Sequence, residues 1–399
     1  DYSKRICPMP APLKHSLYVK GDSEQAFKQA FVSGLRGFLL NDMAAAMKER
    51  YISDIEPTMA QKPKNGEEVH EAIKGTGLFK FYSSMRYNAQ EMVWRSALRP
   101  LHRSMDKLSQ RIDVVSANAD KSKLTLNPNQ EIPRNVSAID VHLAPGSYHR
   151  EDGSADWMGG ALYDHGLNIF SFGMMGENLD DIGQSMAQYI ARKFPDFCPS
   201  TILDLGCTVG HNTCAWKLTF PDAQVTGIDV ASACLKYGHA RALDQGVDIN
   251  FKQMNATALD FADNSVDVVF SSMFLHELSV KDIRKVMEEA YRVLRPGGLM
   301  LHMELPPNDS LSPFDAFYLD WDAYYNNEPF YKSFRDQDFT QLRLDAGFKA
   351  ERLIELITPQ YTYMDSAAYS QAIDVEQGFD DNTGRLAEGL QWFGFGAWK

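Results

Sequence analysis

No stretch of the chain approaches the roughly 20 consecutive apolar residues that crossing a bilayer requires, and the start of the sequence carries no apolar signal segment. A soluble, cytoplasmic protein without a membrane span is the expectation. Cysteine is scarce: Cys7, Cys198, Cys207, Cys214 and Cys234 are the five present, and no two form a C-x-x-C pair. Such spacing argues against a metal framework or a disulfide scaffold, so reduced packing residues and no metal are expected. Positive charge is in deficit, 40 Lys and Arg against 53 Asp and Glu, for a net −13. A field of that sign repels phosphate backbones and anionic membranes, which weighs against a nucleic-acid substrate. The remainder is ordinary for a globular protein, 44% hydrophobic and 23% charged, and 399 residues can bury one large core and a smaller one.

The most informative text lies in residues 201–230. A short apolar run, Ile202, Leu203 and Leu205, holds Asp204 and passes directly into Gly206-Cys-Thr-Val-Gly210. A buried strand, a glycine-bearing turn and a helix form the ligand-binding geometry of a doubly wound α/β sheet, in which glycines let the backbone approach the ligand. A second apolar run, 225–228, ends in Asp229 about twenty residues later, where a carboxylate can accept hydrogen bonds from two ribose hydroxyls. A dinucleotide site normally shows G-x-G-x-x-G, which this turn does not supply.

These residues resemble the cofactor core of the class I methyltransferases that use S-adenosyl-L-methionine (AdoMet), in their small-molecule branch. The run Asp204-Leu-Gly206-Cys-x-x-Gly210 followed by Asp229 carries the likeness, with one departure: Thr208 stands where most members have glycine. The resemblance implies an α/β, doubly wound, seven-stranded and mostly parallel sheet. It also implies AdoMet as cofactor, S-adenosyl-L-homocysteine (AdoHcy) as product, and Asp204, Gly206, Cys207, Gly210, Asp229, Val230, Asn255, Ala256 and Met273 as cofactor contacts. Asn255-Ala256 matches the pair that meets the adenine amine in the family; the alternative is a strand-end turn, where Asn is common. A second match, Arg295-Pro-Gly-Gly298 leading into a strand, closely resembles the family's turn into its fifth strand.

Other segments bear on the acceptor. The strand at 266–270 runs out at Ser271-Ser-Met273-Phe-Leu-His276-Glu277, beside the reacting atoms in this fold. His276 is the candidate general base, since a neutral imidazole takes a proton near neutral pH; the alternative is a packing role at the cofactor edge. Upstream, Tyr148, His149, Trp157, Tyr163, His165 and Phe170 form a set of polar aromatics that the family likeness suggests as a lid. Downstream, eight aromatics fall in the eighteen residues 314–331, where the chain average of 12% gives about two. An acceptor pocket with Asp320, Asp322 and Glu328 as polar handles explains the excess; so does a helix packed on the N-terminal block. Tyr148, Trp157, Glu277, Trp321, Tyr324, Tyr325 and Tyr331 are the candidate substrate contacts.

Residues 22–55 repeat Phe27, Phe31, Leu35, Phe38 and Leu39 at the spacing of one helical face, and a helical region over about 67–115 is interrupted near 75–77 and at Pro100. The expected division is an N-terminal, mainly helical cap or dimerisation region, 1–137, and a methyltransferase domain, 138–399, with insertions at 305–335 and 358–389. The expected function is methyl transfer to O, N, S or C of a small molecule, with a homodimer through the N-terminal helices. The alternatives are a protein or RNA methyltransferase, or a non-catalytic AdoMet-binding scaffold.

Overall fold

The computed structural model describes residues 12–375, 378–380, 383–384, 386 and 389–399. Cys7 and part of the insertion expected at 358–389 lie outside the described residues. The chain opens with α1 (Ser23–Gly37), capped by the Asp22 carboxylate, which accepts from the Gln25 amide. A π-helical turn (Phe38–Met43), α2 (Ala44–Arg50) and a second π turn (Tyr51–Ile55) continue the same run. The phenyl face of this run is turned outward: Phe27, Phe31 and Phe38 are 74%, 62% and 51% exposed. The face that packs holds Gln25, Val32, Ser33 and Arg36. Arg36 fixes that choice, since its guanidinium donates to the Phe170 carbonyl and lies 4.2 Å and 5.1 Å from the Phe170 and Phe172 ring centroids.

Next come α3 (Gly66–Ile73), capped by Asn65, and α4 (Gly77–Arg103), capped by Thr76. Pro100 does not interrupt α4; it sits in the last turn, and the break falls at Ser104 before α5 (Met105–Ser116). The polar stretch that follows contains the strand β1 (Leu124–Thr125) and the single turn α6 (Arg134–Ser137). Two further helices, α7 (Met158–Phe170) and α8 (Asp181–Lys193), lead into the sheet.

The sheet then builds by alternation: β2 (Thr201–Leu205), α9 (His211–Thr219), β3 (Gln224–Asp229), α10 (Ser232–Asp244), β4 (Asn250–Gln253), β5 (Val266–Ser272), α11 (Val280–Val293) and β6 (Leu294–Glu304). After α12 (Pro313–Tyr325), α13 (Tyr331–Arg335) and α14 (Phe339–Asp345) come β7 (Leu353–Pro359), α15 (Ser366–Asp374) and β8 (Gln391–Trp398). The strand order is β1-β4-β3-β2-β5-β6-β8-β7, parallel except that β8 runs antiparallel to both neighbours. The expected seven strands are thus eight, because Leu124 and Thr125 pair with Phe251 and Lys252 at the β4 edge.

Strand periodicity divides the core into two layers. Ile202, Val268, Phe270, Leu299 and Leu301 face one side of the sheet with Trp216 and Ile190, while Leu203, Leu205, Val269 and Met300 face the other with Val286 and Met287. The N-terminal helices join this body rather than standing apart. Val93, Trp94 and Leu101 of α4 share a cluster with Cys234 and Tyr237 of α10, and Leu39, Tyr51 and Tyr82 share another with Phe317 and Trp321 of α12. Among the described residues, no helix is long and apolar enough to cross a membrane.

Candidate active site

The glycine turn at the end of β2 is built as its residue types require. Gly206 and Gly210 adopt φ of +67° and +78°, and a Cβ on Gly206 would lie 2.2 Å from the Phe274 ring. Thr208 takes the same left-handed backbone, φ +48°, so the turn keeps its path without the family's glycine there. Its amide donates to one Asp229 oxygen at 2.9 Å, and the Ala231 amide donates to the other at 2.8 Å. Asp229 therefore stands at the tip of β3 with both oxygens oriented and lone pairs to spare. Burial pushes its pKa up, against the opposing pull of those backbone donors. Asp204 is fully enclosed, accepts from the Thr213 hydroxyl at 2.5 Å, and is pushed by burial up to about 7. The Asn255 side-chain oxygen accepts from both the amide and the hydroxyl of Thr257, at 2.9 Å each, so that carbonyl closes a local turn.

A cavity of about 470 Å³ opens from this turn. Gly206, Cys207 and Thr208, the apolar Leu40, Phe170, Phe314 and Tyr318, and the polar His142, His276, Asn326, Glu328 and Tyr331 line it. The π turn at 38–43 matters here, because the helical run that exposes Phe27 and Phe31 presents Leu40, Asn41 and Ala44 to the cavity.

The polar lining belongs to a compact array of ionisable groups. Glu304, at the tip of β6, accepts from the amides of Phe274 and Leu275 at 2.8 Å and 2.6 Å and pairs with Nδ1 of His276 at 2.7 Å. The Tyr331 ring stacks on His276 with centroids 4.2 Å apart. His142, itself in a left-handed conformation with φ +56°, bridges Glu328 through Nδ1 at 3.1 Å and Glu277 through Nε2 at 3.2 Å. The Tyr148 hydroxyl lies 3.0 Å from the same Nε2 and 3.1 Å from Glu277. Burial works against a charge on His142, but Glu328 and Glu277 outweigh it and raise its pKa to about 10. His276 is also raised, burial opposing and Glu304 prevailing. Glu277 is held low despite burial, chiefly by His142.

Among the residues singled out from sequence, Asp204, Gly206, Cys207, Met273, Tyr148, His276 and Tyr331 line this cavity. Glu277 reaches it through His142 and Tyr148. Gly210 caps α9, and Asp229, Val230, Asn255 and Ala256 stand at the ends of β3 and β4, all outside its walls. Trp157 and Trp321 are core residues, 4% exposed each, and the Trp321 indole donates to Ser83 at 2.9 Å. Tyr324 is 74% exposed, and Tyr325 packs against Trp321 with centroids 5.7 Å apart. The acceptor-pocket reading of those four aromatics has no support from their placement: α12 spends one face on the N-terminal helices and another on the cavity. The sequence reading did not find His142, Glu304 or Asn326, whose chemistry depends on neighbours distant in the chain. Glu328 and Asp322, noted as polar handles, carried a sequence signal, as did Tyr163 and Phe170 of the upstream aromatic set, which also line the cavity.

A doubly wound sheet with a glycine turn after β2, an acidic residue closing β3 and a cavity over the strand tips is the arrangement that the likeness to class I methyltransferases implies. Comparison with known proteins agrees: residues 202–298 match the family model described as a methyltransferase domain. Curated relatives include malonyl-[acyl-carrier protein] O-methyltransferase 1 of Coxiella burnetii, 32% identical over 39% of this chain and 51% of that protein. Another is demethylmenaquinone methyltransferase of Thermus thermophilus, 33% identical over 32% of this chain and 55% of that protein. The chain thus spans about half the length of the curated relatives it matches. A solved phosphoethanolamine N-methyltransferase 2 of Haemonchus contortus aligns at 19% identity and TM-score 0.37, over 54% of this chain and 52% of that one, too loosely to bear on function.

Proposed function

We propose that this protein transfers the methyl group of AdoMet to a small-molecule acceptor. The observation that carries the reading is the continuity of one cavity from the glycine turn to His276. The donor set suits the cofactor: Asp229 offers lone pairs for ribose hydroxyls, and Gly206, Cys207 and Thr208 line the cavity beside it. Val230, Asn255 and Ala256 would flank the adenine, and Cys207 and Met273 the rest of the cofactor. When bound, AdoMet supplies a methyl group already activated as a sulfonium. The chain's own residues then have three tasks: to orient the acceptor, to exclude water with the apolar walls, and to hold a proton at His276 Nε2, whose other nitrogen is fixed by Glu304.

Calorimetry tests the site assignment: Asp229→Ala should abolish measurable AdoMet binding, and unchanged affinity would overturn it. The competing reading, a scaffold that binds AdoMet without transferring methyl, is separated by incubation with labelled AdoMet and a metabolite extract; label transferred to a small molecule excludes the scaffold. The outward phenyl face of Phe27, Phe31 and Phe38 supports a homodimer through the N-terminal helices. Sedimentation equilibrium should then report twice the chain mass of 45.0 kDa, and a single chain mass at micromolar concentration would contradict it.

A further inference from the structure

The Glu328 end of the cavity is both acidic and unsatisfied. Glu328, Asn326 and Tyr331 line it, and Oε2 of the first, Oδ1 of the second and the hydroxyl of the third are buried without a hydrogen-bond partner. These residues are 8%, 4% and 4% exposed, so bulk water does not serve them. His276 Nε2 stands 3.8 Å from Glu328 Oε2, beyond hydrogen-bonding distance. The other Glu328 oxygen is fully used, by the Asn326 amide and by His142. A buried acceptor left unfilled costs about 1–3 kcal/mol, and more when it is charged, so three together imply a ligand that fills them.

The chemistry of that ligand follows from count and charge. Two of the atoms can only accept, and the phenol can accept as well, so the ligand must bring several donors. Three carboxylate side chains, Glu277, Glu304 and Glu328, face two imidazoles, His142 and His276. Oε2 of Glu328 is the oxygen of this set that is buried without a donor. A carboxylate or phosphate head would add charge of the same sign, and a hydroxyl would supply one donor and leave the charge in place. A sulfonium carries no N–H or O–H, so the methyl donor's charged atom does not satisfy these oxygens either. A primary ammonium brings three donors and one positive charge, and the Tyr331 ring adds an aromatic face.

We infer that this end of the cavity binds the protonated primary amine of the acceptor molecule, whose apolar body lies along Leu40, Phe170, Phe314 and Tyr318. The inference rests on the methyltransferase reading. Its test is calorimetry on the full chain saturated with AdoHcy, using 2-phenylethylamine, 2-phenylethanol and 3-phenylpropanoate as probes. The amine should bind at least about tenfold more tightly than the alcohol, and the carboxylate should not bind. Glu328→Gln should weaken the amine about tenfold while AdoHcy affinity stays unchanged. Tyr331→Phe, which removes only a hydroxyl, should weaken the amine as well and covers the case in which the Glu328 variant does not fold. Equal affinity for amine and alcohol, preference for the carboxylate, binding of none of the three, or amine affinity unmoved by both variants would each overturn the inference. So would an amine that AdoHcy displaces, since the subsite would then belong to the cofactor's own ammonium. No AdoHcy binding at all would instead sink the methyltransferase reading, and this inference with it.

Discussion

His276 owes its proposed role to Glu304, a carboxylate 28 residues further along the chain. The backbone amides of Phe274 and Leu275 hold that carboxylate in place, so the imidazole is oriented by a group that is itself fixed. Because Glu304 raises the imidazole pKa, the neutral, proton-accepting form is gained only as pH rises through the raised value. Glu304→Gln removes the charge while keeping the size. Methyl transfer should fall about 10–100-fold with AdoMet affinity unchanged, and the acid limb of kcat/KM against pH should move to lower pH. A limb that stays in place would exclude His276 as the titrating group. The sequence could name His276 because it follows a strand end, but it could not name the partner, since that pairing exists only where β6 lies beside β5. His142 was equally hidden: its reach to Glu277 and Glu328 depends on a left-handed backbone that a non-glycine residue seldom adopts. Thr208 is the reverse case. Its departure from glycine is plain in the sequence, and the structure shows the turn absorbing a left-handed threonine, at about 1–2 kcal/mol, through the bond from its amide to Asp229.

At the scale of elements, the strands were legible and the helix faces less so. Parallel strands buried on both sides read as short continuous apolar runs, as β2, β3 and β5 do. The outward phenyl face of α1 defeats simple pattern reading, because the buried face of that helix is held by Gln25, Ser33 and Arg36. A second buried arginine ties α4 to α12. Arg86 is 1% exposed and donates to both Asp322 oxygens, at 2.5 Å and 3.2 Å, with Gln90 as a further acceptor at 3.1 Å. Asp322→Asn would leave that guanidinium without its counter-charge. Asp322 is partly open to the cavity, so the expected loss is at the lower end for a broken buried pair, about 3 kcal/mol, read as a lowered urea midpoint. A loss below about 1 kcal/mol would mean that Gln90 and water replace the carboxylate. Since α12 also supplies Phe314 and Tyr318 to the cavity, the same variant should weaken acceptor binding more than AdoMet binding.

Over the whole molecule, the distribution of buried histidines sets how stability responds to acid. Burial holds His165 and His211 down to about 4 and His302 down to about 3, against about 6.5 in an unfolded chain. For these groups the unfolded state binds the extra proton first, so their contribution is intact above pH 6.5 and is lost as pH falls toward 4. Each removes about 1.4 kcal/mol per pH unit inside that window. Asp204 acts in the opposite direction: raised to about 7, it takes up a proton in the folded state before the unfolded one and adds stability on acidification. His142, raised to about 10, is protonated in both states below 6.5 and adds no slope there. Asp164, held well below its usual value despite burial by His15, His211 and Arg241, keeps its contribution until the pH is lower still. Among these groups, three falling contributions against one rising leave a net loss of about 3 kcal/mol per pH unit between 6.5 and 5, which Asp180, Asp181, Asp229 and Asp320, also raised by burial, reduce. Acidification also relieves the repulsion within a chain of net charge −13, but 0.15 M salt screens that long-range effect over about 8 Å. Thermal unfolding in that salt should show a Tm that rises as pH falls from 8 to 7, where His142 is protonated only in the folded state, and that falls steadily from 6.5 to 5. A Tm that rises over the lower interval would mean that the buried carboxylates, Asp204 foremost, outweigh the neutral histidines.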